Sequence, residues 1–155
     1  MERRAALFLT SAAVLWAAAI FLAPLAAHYQ TWRLFTNLVD TAGSLVCHQR
    51  AERSFALAGQ MMPVCARCTG LYASGAAAGL AAWLTLPVFP ARTRMAILLA
   101  AVPTLLTLAV EWAGLGQPGN AVRAAAAVPL GAACGWVFVR MLRAEASPTT
   151  CAIIS

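Results

Sequence analysis

Cys65-Ala66-Arg67-Cys68 is the part of this sequence best suited to chemistry. Thiols three positions apart at the start of a helix share a face, and the positive end of a helix favours thiolate over thiol. Pro63 stands where such a start is expected, and Arg67 adds positive charge beside the pair. Thiolates serve both metal ligation and disulfide exchange. Cys47 and His48 lie eighteen and seventeen positions upstream of Cys65, across a loop able to fold back. Three thiolates and an imidazole suit tetrahedral zinc, and sulfur-rich ligation also fits copper(I) or iron. Neighbouring Cys and His side chains can ligate one ion only in a constrained geometry. His48 is therefore either the fourth ligand or a group that orients the ligands.

Two other chemistries use the same residues. A Cys-x-x-Cys at the outer face of a small membrane protein invites comparison with the quinone-coupled disulfide-forming enzymes. Such a thiol–disulfide oxidoreductase needs a second reactive cysteine pair, and the loop offers only Cys47. Alternatively, a disulfide from Cys47 to Cys65 or Cys68 would staple the loop in a structural or assembly subunit, as an oxidising compartment permits. Metal binding is the favoured reading. Cys134 reads as an apolar packing residue, and Cys151 is too far from the chain end pattern required for prenylation. No nucleophile–base pair, phosphate loop or nucleotide fingerprint is visible, so the sequence names no reaction and leaves open whether the protein is an enzyme.

The elements that position these residues follow from composition. Hydrophobic residues make up 62% of the 155, and charged ones 10%, against about a quarter charged in a soluble domain. Water cannot be the solvent for most of such a surface. Four apolar runs approach the roughly 20 residues that a membrane-crossing helix needs: Ala5 to Ala27, about Val64 to Leu86, Met95 to Trp112 and about Ala121 to Leu142. The expected fold is an all-α membrane protein of four transmembrane helices, with residues 1–145 as one domain and 146–155 as a short polar, disordered tail. Pro103 and Pro129 are interior kinks, tolerated where neighbours supply partners. Arg3 and Arg4 ahead of the first run resemble a signal peptide, but the run is longer than a signal core and no tidy cleavage site follows, which favours a retained helix.

Residues 28–63 form the one long connection. Trp32, Phe35, Leu38, Val39, Ala42, Leu45 and Val46 recur at helical spacing, with Arg33, Asn37, Asp40 and Ser44 largely opposite. An amphipathic interfacial helix is expected there. All eleven basic residues are arginines. They sit at the ends of the apolar runs rather than in a clustered basic face, which argues against a nucleic-acid partner. Arg3, Arg4, Arg92, Arg94, Arg140 and Arg143 fall on one side of four spans, and the positive-inside rule makes that side cytoplasmic. Both termini are then cytoplasmic, in a multi-pass protein of the cell membrane, and the Cys/His face is extracytoplasmic. Trp32, Trp83, Trp112 and Trp136 near span ends fit interfacial anchors. Membrane lipids are the expected partners. Homo-oligomerisation would be needed for any transport path, since four short spans carry no internal repeat.

With four spans, the first and third connections share a face. That places Cys47, His48, Gln49, Arg50, Arg53, Ser54, Cys65, Arg67, Cys68, Thr69 and Tyr72 beside Glu111, Gln117, Asn120 and Arg123. Arginines near helix ends can snorkel, but a short carboxylate snorkels poorly, so Glu111 is expected to pair with Arg123 or Arg67. Gly75-Ala-Ala-Ala-Gly79 and Gly131-Ala-Ala-Cys-Gly135 are small-xxx-small patterns. They predict direct packing of the second and fourth helices, with Arg123 brought beside the Cys65–Cys68 turn. Arg50, Arg53 and Arg67 form either a solvated basic loop or a holder for an anionic group such as a lipid phosphate.

Cys47-His48-Gln49, Arg53-Ser54-Phe55 and the run Pro63-Val64-Cys65-Ala66-Arg67-Cys68-Thr69-Gly70-Leu71-Tyr72 resemble the signature of a microbial membrane-protein family catalogued as domain of unknown function 2085. Asn120-Ala-Val-Arg123 and the following Gly131 are similar to that family's last helix. The resemblance covers roughly residues 40 to 135 and implies an integral membrane protein without an assigned activity. It also implies that Cys47, His48, Gln49, Arg53, Ser54, Cys65, Arg67, Cys68, Thr69 and Gly70 act as one unit.

Overall fold

The computed structural model describes residues 2–84 and 93–145. The expected end of the second apolar run, Arg92, Cys151 and the expected polar tail lie outside them. Among the described residues, five helices and one hairpin follow in order: α1 (Glu2–Ala26), α2 (Arg33–Val46), β1 (Ser54–Leu57), β2 (Gln60–Cys65), α3 (Ala66–Ala81), α4 (Thr93–Trp112) and α5 (Asn120–Glu145). Short 3-10 turns cover Gln30–Trp32, Ala51–Arg53 and Ala82–Leu84. Among the described residues, three helices are long and apolar enough to cross a membrane: Arg3–Ala26, Thr93–Trp112 and Asn120–Arg143. Leu98, Leu99, Leu105 and Leu106 of α4 are all exposed, an apolar face that a water-soluble monomer rarely presents.

The bundle is built on α3 against α5. A Cβ added at Gly131 would strike the backbone oxygen of Leu71 and the hydroxyl of Ser74, and one at Gly135 would strike the carbonyl of Gly75. Gly70 approaches the Ala124 carbonyl just as closely. The two small-residue patterns therefore meet each other, as their spacing predicts, because only glycine lets the backbones come so near. Buried Thr104 on α4 donates to the Ala126 carbonyl at 2.8 Å and ties α4 to α5. Helix α1 joins through Trp83, whose indole N–H donates to Thr10 Oγ1 at 3.1 Å.

The connection after α1 departs from the all-α expectation. Helix α2 forms as its periodicity predicts, but the residues it buries are Thr36, Val39 and Gly43. Leu34, Leu38 and Leu45 stay exposed, so a narrow stripe seats α2 on the hairpin and its larger apolar side chains face outward. Next comes an antiparallel hairpin, with Leu57 paired to Gln60 and Ala56 to Met61. Ala58 and Gly59 both have positive φ, 51° and 77°, the turn geometry whose twist suits two-residue hairpins. Alanine in the first of these positions gives no turn signature in the sequence. The pairing then slips, so that Ser54 faces Cys65. Pro63 lies in the skipped stretch, where it has no N–H to give the ladder. Pro63 thus belongs to a strand rather than to the helix start expected of it, and α3 begins at Ala66.

Candidate metal centre and its arginine-rich surround

Cys47, Cys65 and Cys68 come from three different local structures. Cys47 caps α2, its N–H donating to the Gly43 carbonyl at 2.9 Å. Cys65 ends β2 and precedes α3, and Cys68 lies in the first turn of α3. Their sulfur atoms all lie within 4.8 Å of one another. Sulfurs around a tetrahedral metal at about 2.3 Å sit roughly 3.8 Å apart, so small side-chain rotations suffice to close on an ion. The Cys65 N–H donates to Cys47 Sγ at 3.1 Å, an arrangement that stabilises charge on sulfur. Hydrogen bonding from Cys68 holds the Cys65 thiol well below the ordinary thiol range; burial opposes this, and Cys47 and His48 assist it. The Thr69 hydroxyl donates to the Cys65 carbonyl at 3.1 Å and secures the strand-to-helix junction.

Gln49 aligns the loop that delivers Cys47. Its φ of 48° is unusual for a side-chain-bearing residue. Its Nε2 donates to the Asp40 carbonyl at 2.8 Å and to the Pro63 carbonyl at 2.8 Å. These bonds tie α2 to β2 on either side of the sulfurs, and Gly43 leaves the room for them. A Cβ there would collide with the Pro63 carbonyl and come within 2.9 Å of Gln49 Nε2. His48 is exposed, and its Nδ1 accepts from the Arg50 N–H at 3.2 Å. It stands beside the sulfur triad, outside the group whose ligand atoms converge.

Next to the sulfurs, three arginines surround one carboxylate. Glu111 Oε1 accepts from Arg123 Nε at 2.7 Å and from Arg67 Nη2 at 3.1 Å, and Oε2 lies 3.3 Å from Arg53 Nη1. Only 4% of the Glu111 side chain is exposed. Arg67 Nη2 also donates to Thr107 Oγ1 at 3.2 Å. Arg123 Nη1 donates to Asn120 Oδ1 at 3.0 Å, and its Nη2 to Gln117 Oε1 at 3.2 Å. Asn120 Nδ2 donates to the Ser54 carbonyl at 2.9 Å, joining the start of α5 to the hairpin.

The pairing of Glu111 with Arg123 and Arg67 follows the sequence expectation; Arg53 is an addition. Arg50 stays apart from the cluster and is exposed, its carbonyl accepting from Ser54 Oγ at 3.0 Å. Tyr72 lies one turn below Cys68 and packs edge-on against Trp16, ring centroids 6.0 Å apart. The two rings border an apolar groove of about 730 Å³ that Gly75, Cys134 and Phe138 also line. Gly43 and Thr107 are site residues that sequence reasoning missed. Gly43 carried no turn signal inside a helical pattern, and Thr107 is one hydroxyl among several on an apolar helix.

Residues 47–137 match the family described as predicted membrane protein (DUF2085), and the chain belongs to that family. An uncharacterized protein of Methanothermobacter thermautotrophicus is 33% identical over 86 residues, covering 56% of this chain and 78% of the relative. An uncharacterized protein of Methanocaldococcus jannaschii is 31% identical over 111 residues, covering 67% of this chain and 70% of the relative. No solved structure matches.

Proposed function

From family membership and the sulfur geometry, we propose that the protein is a multi-pass membrane metalloprotein. Cys47, Cys65 and Cys68 would hold a thiophilic ion, zinc foremost. The observation that carries this reading is the meeting of three thiols from three separate elements within 4.8 Å. A backbone N–H aimed at one of those sulfurs adds to it. Three sulfurs leave one position of a tetrahedral ion for His48 or for an external ligand. In the first case the site is closed and structural; in the second it could polarise a bound group. Gln49 and Thr69 orient the cysteines, and Glu111 with its arginines braces the helix ends beneath them.

Four spans are part of the proposal. Helix α3 has 16 residues, followed by a three-residue 3-10 turn. At 1.5 Å and about 2 Å per residue these reach about 30 Å, the thickness of the hydrocarbon core. The close glycine contacts with α5 support α3 as a spanning partner. Both termini are then cytoplasmic, and the cysteine site lies at the extracytoplasmic face. Reporter fusions at Gly59 and Glu145 should report opposite sides; the same side would contradict four spans.

Cobalt(II) substitution tests the metal reading directly. Bound cobalt should give sulfur-to-metal charge-transfer absorption, as thiolate ligation does, and the band should be lost in Cys68→Ser. Absence of the band in folded, fully reduced protein would contradict the reading.

A further inference from the structure

Among the described residues, no second acid balances the charge around Glu111. Three guanidinium groups lie within 3.3 Å of this one carboxylate, which leaves two positive charges over. The sequence holds only four other acidic residues: Glu2, Asp40, Glu52 and Glu145. Glu2 begins α1 and Glu145 ends α5, at the helix ends away from the cluster, and Glu52 is exposed. Neither Asp40 nor Glu52 pairs with the cluster, and segments 85–92 and 146–155 contain no acid. A largely enclosed excess of positive charge is costly unless an anion joins it.

The uncommitted donors identify where that anion goes. Arg123, with a side chain 6% exposed, has Nε, Nη1 and Nη2 all bonded to Glu111, Asn120 and Gln117. Arg53 is 24% exposed and has one partner atom, and Arg67 is 16% exposed. The Nε of Arg67 is buried without any partner. Arg53 thus keeps guanidinium N–H groups unmatched on a part-exposed side chain, and Arg67 keeps a buried Nε unmatched beside the same carboxylate. Paired arginine forks match phosphate oxygens in geometry as well as charge.

We propose that Arg53 and Arg67 form a binding site for a phosphate group, carried by an anionic membrane lipid or by a free phosphate compound. Glu111 and Arg123 hold the two arginines in register. The site does not depend on the metal reading, because no cysteine takes part in it.

The test uses full-length protein, stripped of lipid in neutral detergent, with thermal unfolding as the readout. The probes are sodium phosphate against sodium chloride at matched ionic strength, and micelles doped with phosphatidylglycerol against phosphatidylcholine. Saturable stabilisation by phosphate and phosphatidylglycerol supports the site with free phosphate sufficient; stabilisation by phosphatidylglycerol alone assigns the lipid headgroup. Arg53→Gln should weaken the apparent affinity about ten-fold, the loss of one charge-assisted hydrogen bond, and Arg53→Lys should weaken it less. Arg67→Gln should act in the same direction; if it does not fold, the more exposed Arg53 carries the test alone. Equal effects of phosphate and chloride with no preference for phosphatidylglycerol would overturn the proposal. So would binding unchanged in Arg53→Gln.

Discussion

Glu111 Oε1 and Arg123 Nε are 2.7 Å apart, with 4% and 6% of their side chains exposed. That bond joins the end of α4 to the start of α5, and Arg67 and Arg53 bring α3 and the hairpin to the same carboxylate. The four segments share a single negative charge. Glu111→Gln would therefore leave three enclosed guanidinium groups without it. Breaking one side of a buried pair costs about 3–5 kcal/mol. The variant should lose most of its folded yield, or that much stability in denaturant titrations in detergent. The exchange Glu111→Arg with Arg123→Glu should recover part of the loss. If no exchange rescues either single variant, these contacts do not hold the helix ends together.

The α3–α5 contact is the second place where one atom decides. Gly131→Ala puts a methyl group into the Leu71 backbone, which cannot move aside as a flexible side chain would. Separating the helices should cost several kcal/mol, at or above the roughly 1–3 kcal/mol of an overpacked core. Gly119→Ala is the matched control, since a Cβ there meets nothing within 4 Å; it should cost less than about 1 kcal/mol. Comparable melting temperatures for the two variants would refute the close packing.

A third prediction separates the loop from the bundle. Gln49→Ala removes both bonds from Nε2, to the Asp40 and Pro63 carbonyls, at a cost of about 1–3 kcal/mol. The helices do not depend on these bonds. Helical content should stay near that of the unaltered protein, while affinity for zinc falls because Cys47 is no longer held against Cys65. Unchanged zinc affinity in folded Gln49→Ala would show that the loop needs no such tether.

Particular residues show how much of this was legible in the sequence. Glu111 announced itself, because a short carboxylate at the end of an apolar helix snorkels poorly and needs a cation, and the candidates were few. The glycines of α3 and α5 announced their contact through spacing alone. Arg53 did not, since its reach to Glu111 depends on a hairpin whose turn, Ala58-Gly59, lacks the residues that usually mark one. Pro63 misled in the same region: the proline that suggests a helix start here interrupts a strand ladder. On α2 the periodicity was readable, but which stripe would be buried depended on Gly43 meeting Pro63, a contact between segments that no local pattern records. The convergence of Cys47 on Cys65 and Cys68 followed from the loop length only as a possibility; Gln49 and Gly43 are what hold it.

Acid should release the ion, since each cysteine must be deprotonated to bind it. Metal retained in acid, where the thiolates are protonated, would argue for a different kind of site. Restoring neutral pH with zinc present should restore full occupancy.

The most direct test of the central claim is metal content with free-thiol counting, on protein purified in mild detergent without chelators. The account predicts near-stoichiometric zinc or another thiophilic metal, lost in Cys65→Ser and in Cys68→Ser. Absence of metal together with two fewer free thiols than the sequence contains would contradict it, and would assign two of Cys47, Cys65 and Cys68 to a disulfide instead.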